Sequence, residues 1–219
     1  MQDSRDVAAK RGSCAKRNGN GGIGISAAQD IHTVIEVDVE LLDVTPRVHR
    51  RFTVPAAITL HQLHNAIQAA MGWENRHLYV FDIGGVLYGE PDPEMEFKSA
   101  RRMRLFQLTT HRFVYSYDFG DDWQHAVTIT APRERLRTEF VPRLMQAEGN
   151  CPPEDVGGSP GYANFLEVLA NPRDPEYLDY LQWVGGFWDP VNFPLDPLQY
   201  GLISAARRGR WVLDPLERP

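Results

Sequence analysis

Cysteine is almost missing: Cys14 and Cys151 are the two in 219 residues. That excludes a disulfide framework and the small secreted scaffolds that depend on one. Long hydrophobic runs are missing too. No stretch reaches the roughly 18 apolar residues of a membrane span, and the first residues lack the apolar core of a signal peptide. The expected compartment is therefore a reducing cytoplasm, with no membrane partner. An excess of positive charge is the third absence. Lys and Arg number 23 against 29 Asp and Glu, a net charge of −6. Such a balance argues against a nucleic-acid coat, whose affinity rests on surplus Lys and Arg. Arginine does gather locally, at Arg47, Arg50 and Arg51, at Arg101, Arg102 and Arg104, at Arg133, Arg135 and Arg137, and at Arg207, Arg208 and Arg210. Most of these clusters read as solvated faces. They leave nucleic-acid contact possible without support from net charge.

What is present is ordinary for a soluble domain: 42% hydrophobic and 24% charged residues, enough for one sizeable core. Residues 1–30, with Gly19, Gly21, Gly22 and Gly24, have little apolar periodicity and are predicted to be a disordered leader. No strand precedes those glycines, so they do not form a dinucleotide loop. Residues 31–208 are predicted to form a single domain and 209–219 a C-terminal tail, from which Trp211 and Val212 can dock.

Ile35, Val37, Val39 and Leu41 alternate with Glu36, Asp38 and Glu40, the pattern of a strand with one buried face over 33–42. A second strand is expected from Arg47 to Val54. Thr59 is placed to cap a helix through Met71, with Leu60, Leu63 and Ile67 as its apolar stripe and Gly72 as its stop. His61 and His64 lie three apart on that helix, where they could share a ligand; the competing reading is that His64 is packed and satisfied. Strands are expected from His77 to Ile83 and over Val86 to Tyr88, joined by Gly84-Gly85, and a short one over Arg104 to Leu108. Pro132 to Ala147 carries no clear pattern. Three Ser/Asp-Pro pairs, Ser159-Pro160, Asp174-Pro175 and Asp196-Pro197, each suggest a capped helix start.

The densest chemistry lies in Phe113 to Ile129, two aromatic and β-branched runs around Gly120-Asp121-Asp122. With Asp121-Asp122 at the centre of the turn, Asp118 falls opposite His125, Ser116 opposite Val127 and Val114 opposite Ile129. Opposed residues have Cβ atoms roughly 4.5–5.5 Å apart, so Asp118 and His125 would touch. The carboxylate would then raise the imidazole pKa. Phe113, Tyr115, Tyr117 and Phe119 would form the core face. A second acidic turn follows at Cys151-Pro-Pro-Glu154-Asp155. There Gly157-Gly158 permits close approach of another backbone. The candidate polar site is therefore Asp118, Asp121, Asp122, His125, Glu154 and Asp155. The bland alternative is a solvated turn with a structural Asp–His hydrogen bond.

Several stretches together resemble one family. They are Arg50-Arg51 before Val54-Pro55, Leu60 to His64 leading to Ala69-Ala-Met-Gly-Trp73, His77-Leu78 with Gly84-Gly85 and Tyr88-Gly89, Tyr115-x-Tyr-Asp-Phe-Gly-Asp-x-Trp-x-His125, Cys151-Pro-Pro-Glu-Asp155 with Gly157-Gly158, and Phe187-x-Asp-Pro190. Their order and spacing are similar to the plasmid pRiA4b ORF-3-like family, which includes TnpR-like passenger proteins of insertion elements. The resemblance implies an α+β domain and an association with plasmids and transposable elements; it implies no reaction and no catalytic residues. The chain departs from the family's pattern at His49, where Trp is usual, and at Leu144 and Val156, where cysteine is frequent. A four-ligand structural zinc site needs soft donors that this region does not supply.

The fold expected is α+β: an antiparallel or mixed β-sheet with a β-grasp-like ββαββ start, packed by C-terminal helices. Three functions compete. The first is an accessory or binding protein with a protein partner from the same mobile element and no cofactor. The second is a divalent-metal-dependent hydrolase or nuclease, with Mg²⁺ or Mn²⁺ on the five carboxylates of the candidate site and His125 as general base. The third is a DNA-binding regulator of transposition.

Overall fold

Alternation builds the first strand as expected. In the computed structural model, which describes residues 32–92 and 95–215, β1 (Thr33–Leu41) buries Ile35, Val37, Val39 and Leu41. The chain returns antiparallel as β2 (Val48–Pro55), with Leu41 opposite Val48. Helix α1 (Leu60–Met71) begins with a reciprocal capping box: the Thr59 hydroxyl accepts from the Gln62 amide, and the Gln62 side chain accepts from the Thr59 amide. Gly72 ends the helix at φ 89°. Strands β3 (Tyr79–Ile83) and β4 (Val86–Gly89) follow. They are joined by Gly84-Gly85 at φ 62° and 81°, the left-handed pair a two-residue hairpin turn requires.

The remaining strands are β5 (Lys98–Ser99), β6 (Arg112–Tyr117), β7 (Trp123–Ile129), β8 (Arg133–Glu134) and β9 (Arg143–Glu148). The sheet order is β5-β4-β3-β6-β7-β1-β2-β9, with β8 beside β1. Only β4 and β5 run parallel, so this is an open, mixed nine-stranded sheet. Helices α2 (Gly158–Ala170), α3 (Tyr177–Trp183) and α4 (Asp196–Gly209) complete the α+β fold. α4 lies against α1, where a Cβ on Gly201 would meet the Ala69 carbonyl oxygen at 3.3 Å.

Opposed residues share a face, and the pairing makes continuous rows across strands. One row is Phe81, Tyr115, His125, Leu41 and Val48; another is Tyr79, Tyr117 and Trp123; a third is Phe113, Val127, Val39 and Arg50. α1 covers this face. Each large side chain buried there contributes roughly 1.5–3 kcal/mol. The opposite face is polar. Asp38 accepts from Arg51 at 2.7 Å and lies 2.6 Å from His49 Nε2, while Arg47 bridges Glu40 and Glu148.

The β6–β7 register differs from the expected one. His125 stands opposite Tyr115, Val127 opposite Phe113 and Ala126 opposite Val114. The connecting loop is wider than a two-residue turn, because Asp118 and Asp122 both take left-handed conformations, at φ 55° and 54°. The Asp122 amide donates to the Asp118 carbonyl at 2.7 Å, and Asp118 Oδ1 accepts from the Gly120 amide at 2.9 Å. Aspartate tolerates this geometry because its side chain satisfies the local backbone. The odd shift moves His125, Val127 and Ile129 to the core face. Phe113, Tyr115 and Tyr117 are buried there as expected, whereas Phe119 is left exposed in the loop.

Other boundaries also move. Arg104 to Leu108 is a 3₁₀ turn over Leu105–Gln107, not a strand: the amides of Leu105 and Phe106 donate to the carbonyls of Ile58 and Ala56 rather than to a sheet neighbour. α2 is capped by Gly157 rather than Ser159, and α3 starts later than Asp174-Pro175, whose Asp174 carboxylate accepts from the Glu176 amide. The unpatterned 132–147 stretch contributes β8 and most of β9. Beyond α4, Trp211 is buried, and Leu213 exchanges two backbone hydrogen bonds with Val141. The leader expected over 1–30 lies outside the described residues. Among the described residues no helix is long and apolar enough to cross a membrane.

Candidate functional site

Three connections meet at the end of the sheet where β3 begins: the 72–78 turn after α1, the Asp118–Asp122 loop, and the Cys151–Gly157 turn before α2. Each is held by main-chain geometry. The Asp121 carboxylate accepts from the Gly157 amide at 3.1 Å, supplying the N-terminal acceptor that α2 lacks in its own sequence. Gly158, at φ 67°, packs so closely that an added Cβ would lie 2.5 Å from the Asp121 carbonyl oxygen. The close backbone approach expected of Gly157-Gly158 is thus an approach to the other acidic turn.

His77 stands at the junction. Its Nε2 is 3.0 Å from Asp155 Oδ1, 3.5 Å from Asp118 Oδ2 and 3.6 Å from Glu154 Oε2. Despite the short approach to Asp155, this nitrogen is shielded from solvent and has no hydrogen-bond partner of acceptable alignment. Asp118 is oriented by its other oxygen, which holds the Gly120 amide. Glu154 is committed differently. Its Oε1 accepts from the Glu74 amide at 2.6 Å, and both oxygens lie within 3.2 Å of the Tyr117 hydroxyl. That hydroxyl in turn accepts from the Arg76 amide at 3.0 Å. Burial first, and then the Glu154 charge, push the Tyr117 phenol pKa well above its ordinary value. Glu154 therefore clamps the segment that carries His77.

Of the six candidate residues, Asp118, Glu154 and Asp155 converge, and they converge on a histidine outside the candidate set. Asp121 serves α2, and Asp122 accepts from the Gln124 side chain. His125 is the clear correction. It is fully buried, with Nδ1 3.1 Å from the carbonyls of Tyr115 and Trp123 and its ring edge-on to Trp73. Burial pushes its pKa down to about 4, the opposite of the rise a paired Asp118 would cause. It touches no carboxylate of the site and cannot serve as the general base of a hydrolase there. His61 and His64 do not share a ligand either. Both nitrogens of His64 are occupied, by the Tyr115 hydroxyl at 2.8 Å and Asn75 Oδ1 at 2.7 Å, whereas His61 faces Glu90 at 2.9 Å. His77 was visible in the sequence as part of His77-Leu78, but only as the start of a strand.

The donors of His77, Asp118 and Asp155 all lie within 4.8 Å of one another. An ion held at about 2.0–2.2 Å by nitrogen and oxygen donors spaces neighbouring donors roughly 3.0–3.5 Å apart. The distances from His77 Nε2 match that spacing. One nitrogen and two carboxylates suit a divalent first-row ion or Mg²⁺. Asp155 also borders a cleft of about 540 Å³ walled by Trp73, Trp183, Trp188 and Phe193.

Residues 33–197 match the family model described as plasmid pRiA4b ORF-3-like protein. The chain is 42% identical over 161 residues to the uncharacterized protein y4hQ of Sinorhizobium fredii, covering 71% of this chain and 82% of that one. A crystal structure of MM3350 from Methanosarcina mazei, titled a protein of unknown function, has a similar fold. It aligns with a TM-score of 0.69 at 33% identity, over 75% of this chain and 96% of its own.

Proposed function

The chain belongs to the plasmid pRiA4b ORF-3-like family, and on that premise we propose that it is an accessory protein that binds a divalent cation through His77, Asp118 and Asp155. The observation that carries this reading is His77 Nε2: a shielded nitrogen without an aligned partner, facing three carboxylates at 3.0–3.6 Å. A buried polar atom left unpaired costs about 1–3 kcal/mol, and a bound cation removes that cost. Glu154 holds the His77 segment, and the Gly120 amide orients Asp118, so both ligands are positioned before the ion arrives. A bound ion would supply Lewis acidity at the cleft mouth. A protein partner is a further part of this reading, supported by the apolar side chains of Leu178, Phe187 and Val191, each more than half exposed.

The test is calorimetry with Mn²⁺ and Zn²⁺ on the wild type, His77→Ala and Asp118→Asn. One ion per chain is expected, with affinity reduced in each variant by more than the roughly 10-fold to 100-fold that loss of a mere outer-shell partner costs. Absence of binding by the folded wild type, or equal binding by His77→Ala, refutes the proposal.

A further inference from the structure

We propose that the cleft beside Asp155 binds a ring-bearing phosphomonoester of mononucleotide size, its phosphate completing the coordination of the cation and its ring resting on the tryptophan wall; this rests on the cation site proposed above. The cleft and that site share Asp155. Three protein donors leave coordination positions open, and Asp155, the most exposed of the three at 56%, marks the side that faces out. At about 540 Å³ the space is within the range of small-molecule sites. Its walls come from three separate segments: Trp73 after α1, Trp183 at the end of α3, and Trp188 and Phe193 in the following loop. Flat faces of this kind favour a planar ring.

Aromatic walls with acids at the rim also suit an organic cation, and the charges decide between the two. Arg50 is fully buried behind the wall, 5.0 Å from the Phe193 ring. Its described partners are four main-chain carbonyls, those of Ala70, His49, Glu148 and Gly149; no carboxylate is among them, and its second terminal nitrogen has no partner. A positive charge uncompensated by any acid therefore lies behind the face an organic cation would occupy. At the rim, Arg76 is paired with Glu74, and Glu154 is spent on Tyr117 and the Glu74 amide. Once a divalent ion offsets Asp118 and Asp155 and Arg76 offsets Glu74, Glu154 is the lining carboxylate left unbalanced, and an oxyanion enters as a ligand of the ion. Arg76 is more than half exposed and would have to exchange its Glu74 partner to reach a phosphate.

The experiment is calorimetry of the full chain, with and without saturating Mn²⁺, using AMP, adenosine, ribose 5-phosphate and choline as probes. AMP is expected to bind the Mn²⁺-loaded protein, with adenosine and ribose 5-phosphate weaker by about tenfold or more. Trp183→Ala, at a half-exposed position, should weaken AMP while leaving Mn²⁺ binding unchanged. Mn²⁺ binding without AMP binding overturns the ligand and leaves the cation site standing. AMP binding that ignores Mn²⁺, or choline binding in place of AMP, also overturns it. Failure to bind Mn²⁺ overturns both.

Discussion

His64 and His77 stand on either side of the turn that ends α1, in opposite surroundings. His64 is buried between α1 and the sheet, stacked on Tyr79 at 3.6 Å between ring centroids, with a partner for each nitrogen. Burial pushes its pKa down to about 3, so it is a neutral packing element. His77 is partly exposed, surrounded by carboxylates and unpaired at Nε2. His64 has satisfied both ring nitrogens from within the fold, although Arg50 and His125 on the same face each keep an unpartnered nitrogen. The region at the end of the sheet has left a ring nitrogen without an aligned partner facing three acids. The first region is built for packing, and the second is the one to which a binding role is proposed.

The largest expected effect lies within the second region. Gly158→Val places a branched side chain at φ 67° and against the Asp121 carbonyl. It should cost about 3 kcal/mol or more in chemical denaturation. It should also abolish Mn²⁺ binding by parting the two acidic turns. A fully stable variant would show that the turns are not locked together.

Next is pH. His64 and His125 have folded pKa values depressed to about 3 and about 4. The unfolded chain takes up protons as pH falls through about 6.5 while these two stay neutral in the fold, so stability is full above that value and lost below it. The expected slope is about 1.4 kcal/mol per pH unit for each histidine between roughly pH 6 and 4. His125→Leu should lower the slope by about 1.4 kcal/mol per pH unit, its own share. An unchanged slope in urea titrations across this window would contradict the neutral, buried assignment.

Tyr115→Phe should cost about 1–3 kcal/mol, because its hydroxyl partners both His64 Nδ1 and the Gln68 amide. It should leave Mn²⁺ affinity unchanged. His77→Ala is the smallest change in stability, within about 0.5 kcal/mol in the absence of metal, while removing most Mn²⁺ affinity. If Tyr115→Phe and His77→Ala exchanged these effects, the division between packing and binding regions would be wrong.

Much of the fold could be read from local pattern. The alternation in β1, the Thr59 and Gly72 limits of α1 and the Gly84-Gly85 hairpin all depend on residues within a few positions of one another. The site was only partly legible. Asp118, Glu154 and Asp155 stood out as acids in glycine-bounded turns, but their common partner His77 sat in a stretch that read as plain strand. The Asp118–His125 pairing failed for a physical reason. Register depends on loop width, and two aspartates in left-handed conformations widened the loop by an odd shift that reversed the face of β7.

By itself the sequence determined β1, α1 and the β3–β4 hairpin, because side-chain periodicity and capping chemistry act over one or two turns of chain, whereas β8, β9 and the 105–107 turn carry no such local signal. It determined the family as well, through motifs whose spacing survives without any structure. Only the tertiary structure decided that His125 is a core residue and His77 a ligand candidate. Whether an imidazole is buried or meets carboxylates depends on which distant loops share the end of a sheet, and no local preference encodes that meeting.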